Sequence, residues 1–261
     1  MSYISILTDF GGPVGVMEGV MWNIAPDAQI SHIAWDVSPQ NVLEGSLVLD
    51  RQGWFYPDGT VHVVVIDPGV GTDRRPIAAK IGTHYFVGPD NGVFTAVYQR
   101  AEKHGWPIKV VHTNKPEYWL PEVSEIFHGR DIFSPVGAHL AAGVPLEDLG
   151  EEIDDAVRID LPLPERLEDN TVVGQITMVW GHLGNVIVNI HRDDVAHLDK
   201  FRVRLCGVEI TEIVRTFGDR ETGTIVALFG SSHYLNVAVV NGSAREVMHP
   251  KVGDKVEVIP V

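Results

Sequence analysis

The stretch from Val61 to Pro76 limits most strongly what this chain can fold into. It begins with the apolar run V-H-V-V-V-I and continues as D-P-G-V-G-T-D-R-R-P. A run of β-branched residues interrupted by only one polar residue is typical of a strand buried on both faces, as in α/β proteins. Because Pro68 cannot continue a hydrogen-bonded ladder and glycine permits unusual backbone conformations, we expect a tight loop to follow. This loop presents the carboxylate of Asp67 and, a few residues later, the guanidinium of Arg74 or Arg75.

The spacing alone leaves two interpretations of this loop open. Ligands of open α/β sheets bind outside the carboxyl ends of the strands, which makes the loop a candidate functional site. An Asp in a tight turn can equally do no more than accept hydrogen bonds from backbone amides. The other loops of the chain therefore have to be considered before a function is assigned.

Composition favours a folded, soluble protein that handles small molecules. The chain has 261 residues, of which 44% are hydrophobic and 21% charged, so a packed core is expected. Its formal net charge of -15 opposes binding to nucleic acid, which requires clustered Lys and Arg. The single cysteine, Cys206, excludes an intramolecular disulfide and is interpreted as a small buried hydrophobe.

The sequence also argues against a membrane partner. It has no apolar run long enough to span a bilayer, and its first residues, M-S-Y-I-S-I-L-T-D, lack a basic region followed by an apolar one. We therefore expect a cytoplasmic location.

The pattern of elements changes along the chain. Residues 1–160 alternate apolar strand-like runs with helical spacings, including a helix over residues 41–55 that begins with a capping box and another over residues 132–142. This predicts an α/β domain with a mostly parallel sheet between helices, whose acidic stretch 147–155 is a solvated surface. Residues 161–170, with L-P-L-P, are predicted to form a linker. Residues 171–261 are dominated by strands and turn pairs, which predicts a smaller all-β, barrel-like domain.

Four loops of the first domain share one feature: each is predicted to begin where a strand ends and places polar residues among glycines. These residues are Asp9, Asp67 with Arg74, Asp90 with Asn91, and His128 with Arg130 and Asp131. One such loop is weak evidence, whereas four in one sheet suggest a site along its rim.

The motifs in these loops resemble those of the S-adenosylmethionine (SAM) hydroxide adenosyltransferases, which are related to the SAM-dependent fluorinase and chlorinase. They are T-D-F-G at 8–11, D-P-G-V-G-T-x-R at 67–74, P-D-N-G at 89–92 and F-H-G-R-D at 127–131. The second and fourth are the specific ones. The likeness continues through L-G-N-V at 183–186 and Y-L-N-V-A-V at 234–239, so it covers nearly the whole chain.

The resemblance implies that water or hydroxide attacks C5′ of SAM and releases adenosine and L-methionine, with SAM as substrate and no cofactor. It assigns the activation of hydroxide to Asp67, Arg74 and His128. The halogenases have a non-acidic residue at the position of Asp67, which favours the water-using branch, and the family spacing falls on Arg74 rather than Arg75. The family also implies a homotrimer with adenosine between the N-terminal domain of one subunit and the C-terminal domain of the next.

The chemistry of such a triad can be argued independently. The leaving group of a sulfonium is an uncharged thioether, which needs no proton, so the difficulty is to hold a poorly nucleophilic water in line with C5′. A carboxylate and an imidazole can orient that water or accept its proton, and a guanidinium can stabilise developing hydroxide. No metal is required for this reaction.

Other residues are assigned to the substrate by the same resemblance. Asp9 corresponds to the ribose-binding Asp, although a helix cap is its alternative. Asn185 corresponds to an adenine-contacting Asn, and Phe217 would stack on adenine unless it is an ordinary core residue. The remaining substrate-binding assignments are Phe127, Gly129, Tyr234 and Asn241.

Several polar residues have a structural alternative. Asp90 and Asn91 can fix their loop instead of touching substrate, and Arg130 and Asp131 are interpreted as a structural ion pair or cap. His182 and His233 lie in the C-terminal motifs, where they could approach a ligand.

Three departures from the family leave open how the chain binds the amino-acid end of the substrate. No acid precedes the G-N turn in W-G-H at 180–182, the loop after Asp9 lacks a second acid, and Leu183 replaces a usual Phe. Two alternatives follow: a non-catalytic adenosyl-ligand binding protein and a hydrolase of another adenosyl compound. A separate alternative is a metal-dependent hydrolase that uses Asp9, Asp67, Asp90 and His128, and it ranks lowest because Arg74 disfavours a cation.

Overall fold

Two sheets organise the chain. The computed structural model describes residues 2–181 and 183–261. By its internal contacts the chain divides into two units, Met1–Leu161 and Pro162–Val261. The first unit is an α/β structure and the second is almost entirely β, as the change in sequence pattern predicts.

The first unit contains a seven-stranded sheet. Its strands are β1 (Tyr3–Thr8), β2 (Gln29–Ala34), β3 (Val61–Val65), β4 (Pro76–Ile81), β5 (His84–Pro89), β6 (Ile108–His112) and β7 (Glu151–Ile153). Their order is β2-β1-β3-β5-β4-β6-β7. All five residues of β3 are buried, as its β-branched composition predicts.

The prediction of a mostly parallel sheet is wrong in detail, because the sheet is mixed. Strands β1, β2, β3 and β5 pair in parallel, whereas β4, β6 and β7 join through antiparallel pairs. The reason is that only Gly82 and Thr83 separate β4 from β5, and so short a connection can join only antiparallel strands. The acidic stretch is also more than a solvated surface, because residues 151–153 form the edge strand β7, whose two exposed glutamates suit an edge.

Helices cover both faces of this sheet. They are α1 (Gly15–Ile24), α2 (Val42–Gln52), α3 (Thr95–His104) and α4 (Ser134–Ala141). A Cβ on Gly137 of α4 would lie 2.5 Å from Val63 Cγ2, and one on Gly45 of α2 would lie 2.7 Å from Ile66 Cγ1. Because these partners differ by an odd number of positions, α4 and α2 pack on opposite faces of β3.

Two helices differ from their predicted bounds. The capping box at the start of α2 is confirmed, since Asn41 Oδ1 accepts from Glu44 N at 3.0 Å, but the helix ends at Gln52 and continues as a 3-10 turn, Gly53–Phe55. Helix α4 begins later than predicted, because the preceding residues Gly129–Phe133 form a π-helical turn.

The second unit contains an eight-stranded antiparallel sheet. Its strands are β8 (Glu165–Arg166), β9 (Val172–Trp180), β10 (Asn185–His191), β11 (Phe201–Leu205), β12 (Val208–Ile210), β13 (Ile225–Phe229), β14 (Tyr234–Val239) and β15 (Lys255–Pro260). The order is β12-β11-β15-β9-β10-β14-β13, with β8 paired to β9. A bridge between Ile213, just past β12, and Ala227 of β13 nearly closes the sheet into a barrel.

The interior of this barrel-like sheet is apolar, and it includes Ile176, Val188, Leu235, Val237 and Val258. A short helix, α5 (Ala244–Met248), follows β14 and was not predicted. Its only sequence signal is the capping spacing of Ser243 and Glu246, where Ser243 Oγ accepts from Glu246 N at 3.3 Å. Cys206 is half-buried at a turn with φ 47, not inside a strand, and burial raises the pKa of its thiol.

Candidate functional site

The loop after β3 presents Asp67 in a tightly folded segment. Thr72 Oγ1 donates to the Gly69 carbonyl at 2.7 Å, and Val70 N donates to the Asp67 carbonyl at 3.2 Å. Gly71 has φ +77, and a Cβ there would lie 2.4 Å from the carbonyl oxygen of Glu125. Glycine is therefore required for the loop of Asp67 to approach the segment that leads to His128.

Three side chains meet at this place. Arg74 Nε donates to Asp67 Oδ1 at 2.9 Å, and Arg74 Nη2 donates to Oδ2 at 2.5 Å, a bidentate arrangement. The same Nη2 lies 2.8 Å from His128 Nδ1. The side chains of Arg74 and Asp67 are only 8% and 5% exposed. The structure thus brings together the three residues that the resemblance assigns to hydroxide activation.

The contact with Arg74 also defines the protonation of His128. A guanidinium can only donate, so Nδ1 accepts and the proton of the neutral ring resides on Nε2. Burial, followed by the positive charge of Arg74, lowers the pKa of His128 below its usual value. At neutral pH His128 is therefore an uncharged imidazole whose free ring nitrogen is a hydrogen-bond donor.

The π-helical turn that follows His128 fixes its backbone. Asp131 is fully buried and accepts from Ser124 N at 2.9 Å, from Ser124 Oγ at 2.7 Å and from Arg130 Nε at 2.6 Å. Burial raises the pKa of Asp131, but the hydrogen bonds from Arg130 and Ser124 outweigh it and hold the pKa below its usual value. The predicted structural pair of Arg130 and Asp131 is confirmed.

Aromatic side chains surround this turn. Phe127 packs edge-on against Phe10, with ring centroids 5.9 Å apart, and Arg130 lies over the Phe127 ring. The guanidinium of Arg74 lies 5.0 Å from the centroid of Phe133. Ser124 and Phe133 were not predicted as part of the site. Nothing in the sequence distinguishes Phe133, which lies under a guanidinium, from an ordinary core residue, or shows that Ser124 donates to Asp131.

The neighbouring arginine belongs to a different cluster. Arg75 Nε and Nη2 donate to Asp90 Oδ2 at 2.9 and 2.6 Å, and Arg75 Nη1 donates to Asp155 Oδ1 at 2.7 Å. Asp90 Oδ1 accepts from Val157 N, and Asn91 Nδ2 donates to the Ile66 carbonyl at 2.8 Å. Asp90 and Asn91 therefore fix their loop, which was the structural alternative, and Arg74 rather than Arg75 contacts Asp67.

Asp9 lies at the end of β1 but caps no helix. The residue that precedes α1 is Val14, which makes no side-chain capping bond, so the capping alternative for Asp9 is wrong. Its Oδ2 instead accepts from the backbone N of Gln40 at 2.7 Å, and Gly11 N donates to the Trp35 carbonyl at 2.7 Å. The ribose-binding role of Asp9 stays a prediction.

In the second unit, the predicted adenine-binding residues lie in turns and at strand ends. Asn185 begins β10, directly after Gly184 with φ 64. Phe217 is 44% exposed in the 3-10 turn Phe217–Asp219, so its alternative as a core residue is wrong. Their contacts with adenine stay predictions.

Two further predicted residues of this unit have local partners. Tyr234 begins β14 with its ring 5.2 Å from that of His191, and Asn241 Nδ2 donates to Thr222 Oγ1 at 2.9 Å. His233 precedes Tyr234 with φ 62. His182 lies outside the described residues.

A metal-dependent hydrolase would need a cluster of metal-ligating side chains. Within 2–181 and 183–261, no group of three or more His, Cys, Asp or Glu side chains is arranged to hold a metal ion. Of the four residues proposed for a metal-dependent hydrolase, Asp67 is paired with Arg74 and Asp90 with Arg75.

In the described part of the chain, no helix has both the length and the apolar character needed to cross a membrane.

Comparison with known proteins covers both units. Residues 4–150 match the SAM hydroxide adenosyltransferase N-terminal domain, and residues 174–257 match the C-terminal domain of the same family. A protein of Thermus thermophilus named (R)-S-adenosyl-L-methionine hydrolase is 34% identical over 99% of this chain and 100% of its own length. A protein of the same name from Salinispora tropica is 35% identical over 98% of this chain and 97% of its own.

Two other comparisons extend this result. A fluorinase of Nocardia brasiliensis is 30% identical, over 98% of this chain and 96% of its own length. The crystal structure of an uncharacterized conserved protein from Thermotoga maritima superposes with a TM-score of 0.89 at 37% identity, covering 98% of this chain and 99% of that one. The similarity thus spans both units and is not limited to the motifs.

Proposed function

Since the chain belongs to the SAM hydroxide adenosyltransferase family, we propose that it hydrolyses SAM to adenosine and L-methionine. Relatives of similar length are named for the hydrolysis of (R)-S-adenosyl-L-methionine. The observation that supports the proposal most directly is that Arg74 lies within hydrogen-bond distance of both Asp67 and His128, the latter 54 positions further along the chain.

The geometry suggests how these side chains divide the work. His128 Nδ1 is engaged with Arg74 and Nε2 carries the ring proton, so the imidazole can donate a hydrogen bond to a water but cannot accept its proton. Asp67 is then the proton acceptor, while Arg74 holds the carboxylate in place and stabilises negative charge on the attacking oxygen. This arrangement needs no acid at the leaving group.

The reaction balances without a co-reactant. The oxygen of water forms a bond to C5′, the C5′–S bond breaks, and its electron pair returns to sulfur, which leaves as the neutral thioether of methionine. The proton lost by water passes to Asp67. In an adenosyl thioether such as S-adenosylhomocysteine, the group displaced from C5′ would be a charged thiolate, a much poorer leaving group, so we expect no cleavage.

The test is to incubate the purified full-length chain with SAM in water enriched in ¹⁸O. Each sulfonium epimer is assayed separately, because the relatives' names specify the (R) form. We expect adenosine and methionine, with the label in the 5′-hydroxyl of adenosine. Asp67→Asn should lose turnover, whereas Asp155→Asn, a control in the adjacent ion-pair cluster, should retain it.

The outcomes separate this function from the alternatives. A folded chain that binds adenosine but forms no product from SAM would be a non-catalytic binding protein. Product from another adenosyl sulfonium but not from SAM would change the substrate. Label found outside the 5′-hydroxyl would exclude attack at C5′.

We further propose, from the family resemblance, a homotrimer in which each site combines two subunits. The test mixes two inactive variants, Asp67→Asn and Phe217→Ala, after dissociation and reassembly. Mixed trimers contain some sites with neither substitution, so activity should return if the site is shared. No recovery, or a monomeric mass in light scattering, would contradict the shared site. The cytoplasmic location stays a prediction.

A further inference from the structure

Two buried polar atoms at the carboxyl ends of β1 and β3 have no hydrogen-bond partner within the described residues. They are Thr8 Oγ1 and Arg74 Nη1. Thr8 is fully buried, with 0% of its surface exposed. Leaving a buried hydroxyl unsatisfied costs about 1–3 kcal/mol, so such an atom calls for a partner.

The strand register gives the direction of the Thr8 side chain. Ile4 and Ile6 of β1 belong to the core that α1 and α4 cover, whereas Ser5 Oγ lies 2.6 Å from His62 Nδ1 on the other face. Because side chains alternate along a strand, Thr8 lies on the same face as Ile4 and Ile6.

On β3, the residue paired with Thr8 lies close to the triad. Thr8 pairs with Val65, which belongs to the same core as Ile6 and lies two positions before Asp67. A Cβ on Gly129, the residue after His128, would lie 3.2 Å from Val65 Cγ1. Thr8 and the turn after His128 are therefore both neighbours of Val65, two positions before Asp67.

The second unpartnered atom belongs to the triad itself. The Nε–Nη2 edge of Arg74 faces Asp67, and Nη2 also contacts His128, which leaves Nη1 as a buried donor. A guanidinium N–H can only donate, whereas a hydroxyl can also accept. A water bound among these groups could donate one hydrogen to Asp67 and one to Thr8 while accepting from one of the two donors, Arg74 Nη1 or His128 Nε2.

We propose that Thr8 is a further catalytic residue, whose Oγ1 accepts a hydrogen bond from the attacking water. With both water hydrogens directed at Asp67 and Thr8, one lone pair is engaged by a donor and the other is free to face C5′. This inference rests on the proposed hydrolysis of SAM. It assigns to Thr8 an effect on the orientation of water and not on the binding of SAM.

The test compares Thr8→Val, which keeps the shape and removes the hydroxyl, with Thr8→Ser, which keeps the hydroxyl. We expect Thr8→Val to lower kcat about tenfold with KM unchanged, and Thr8→Ser to restore most of kcat. Thr113→Val is the matched control, because Thr113 is also buried with an unpartnered Oγ1 in the described chain. It follows β6, three strands from β3, and its N donates to the carbonyl of Pro76, next to Arg75 of the other ion-pair cluster, so the kcat of Thr113→Val should not change.

Each other outcome overturns the inference. A raised KM with unchanged kcat would make Thr8 a substrate-binding residue, and unchanged values of both would leave it structural. Equal losses in Thr8→Val and Thr113→Val would indicate a general effect of buried hydroxyls on the fold. Should Thr8→Val fail to fold, Thr8→Ala replaces it. A wild-type chain without SAM turnover rejects the proposed function, whereas an active wild type with an unaffected Thr8→Val rejects only the role of Thr8.

Discussion

Arg74 and Arg75 are adjacent in the chain and belong to clusters of opposite character. Arg75 is hydrogen-bonded at both edges of its guanidinium, to Asp90 and to Asp155, and it connects two segments of the first unit. Arg74 is bonded along one edge to Asp67 and His128, and its Nη1 is buried without a partner in the described chain. Each donates two hydrogen bonds to a buried carboxylate, so pairing alone does not distinguish a site from a support.

The two clusters differ in whether every buried polar atom has a hydrogen-bond partner in the described chain. The Arg75 cluster satisfies each guanidinium nitrogen within the protein, as expected for a structural ion pair. The Arg74 cluster retains a buried N–H and a neighbouring buried hydroxyl on Thr8 that can bind only something additional. Buried polar atoms without a hydrogen-bond partner, at the carboxyl ends of parallel strands, are therefore a stronger indicator of function than an ion pair is.

The largest expected difference between the clusters is in turnover. Arg74→Lys keeps the positive charge but loses the planar bidentate geometry, so we expect kcat to fall about 10²–10³-fold. Arg75→Lys should leave kcat within a few-fold of wild type. Both are measured by adenosine formation from SAM at saturating concentration. Equal losses in the two variants would mean that the clusters do not differ in function.

The next largest effect is on stability, and here we expect the Arg75 cluster to matter more than the Arg74 cluster. Arg75→Ala would leave Asp90, whose side chain is 2% exposed, as a buried carboxylate without its partner. We expect the free energy of unfolding to fall by about 3 kcal/mol, as measured by urea denaturation. Asp155→Ala, which removes the exposed end of the same cluster, should cost much less. A stable Arg75→Ala protein that has lost turnover would reverse the comparison.

The sequence predicted much of this arrangement for physical reasons. The run of β-branched residues identifies β3 as a buried strand, and Pro68 and Gly69 identify its end, because these signals depend on local backbone chemistry. That Arg74 rather than Arg75 joins Asp67 came from the family spacing. No local rule separates adjacent arginines, because which one turns toward Asp67 depends on the path of the whole loop.

Features that depend on tertiary contacts were not predicted. The pairing of β4 with β6 makes the sheet mixed, and hydrophobic patterns do not specify strand direction. The π-helical turn was not predicted: its last two residues, Ile132 and Phe133, were assigned to the helix over 132–142 because they continue its apolar spacing. The tautomer of His128 follows only from the donor placed beside Nδ1.

A third polar cluster lies far from the carboxyl ends of the strands, and we expect it to affect how the stability of the protein depends on pH. His62 is fully buried between Ser5 and His84, with its Nε2 3.1 Å from His84 Nδ1. Burial, followed by the nearby His84, lowers the pKa of His62 to about 3. Below about pH 6.5 the unfolded chain therefore binds a proton that the native chain does not.

This difference predicts a loss of stability as the pH falls. Between pH 6.5 and pH 5, His62 should lower the free energy of unfolding by about 2 kcal/mol. Urea denaturation across this range measures the slope. The slope should flatten in His62→Gln and stay as in wild type in His197→Gln, which replaces an exposed histidine. An equal slope in wild type and in His62→Gln would show that His62 binds as many protons in the native chain as in the unfolded chain.

The smallest expected effect tests whether each arginine acts on its own histidine. Burial and then Arg74 lower the pKa of His128, and burial and then Arg75 lower the pKa of His112. Removing either positive charge should therefore raise the pKa of the neighbouring imidazole, because protonation no longer places two like charges together. Arg74→Gln should raise the pKa of His128 and leave that of His112, and Arg75→Gln should do the reverse, as followed by NMR titration of the ring Cε1 protons. If both variants shifted both histidines equally, the two clusters would be one electrostatic unit and the distinction between site and support would fail.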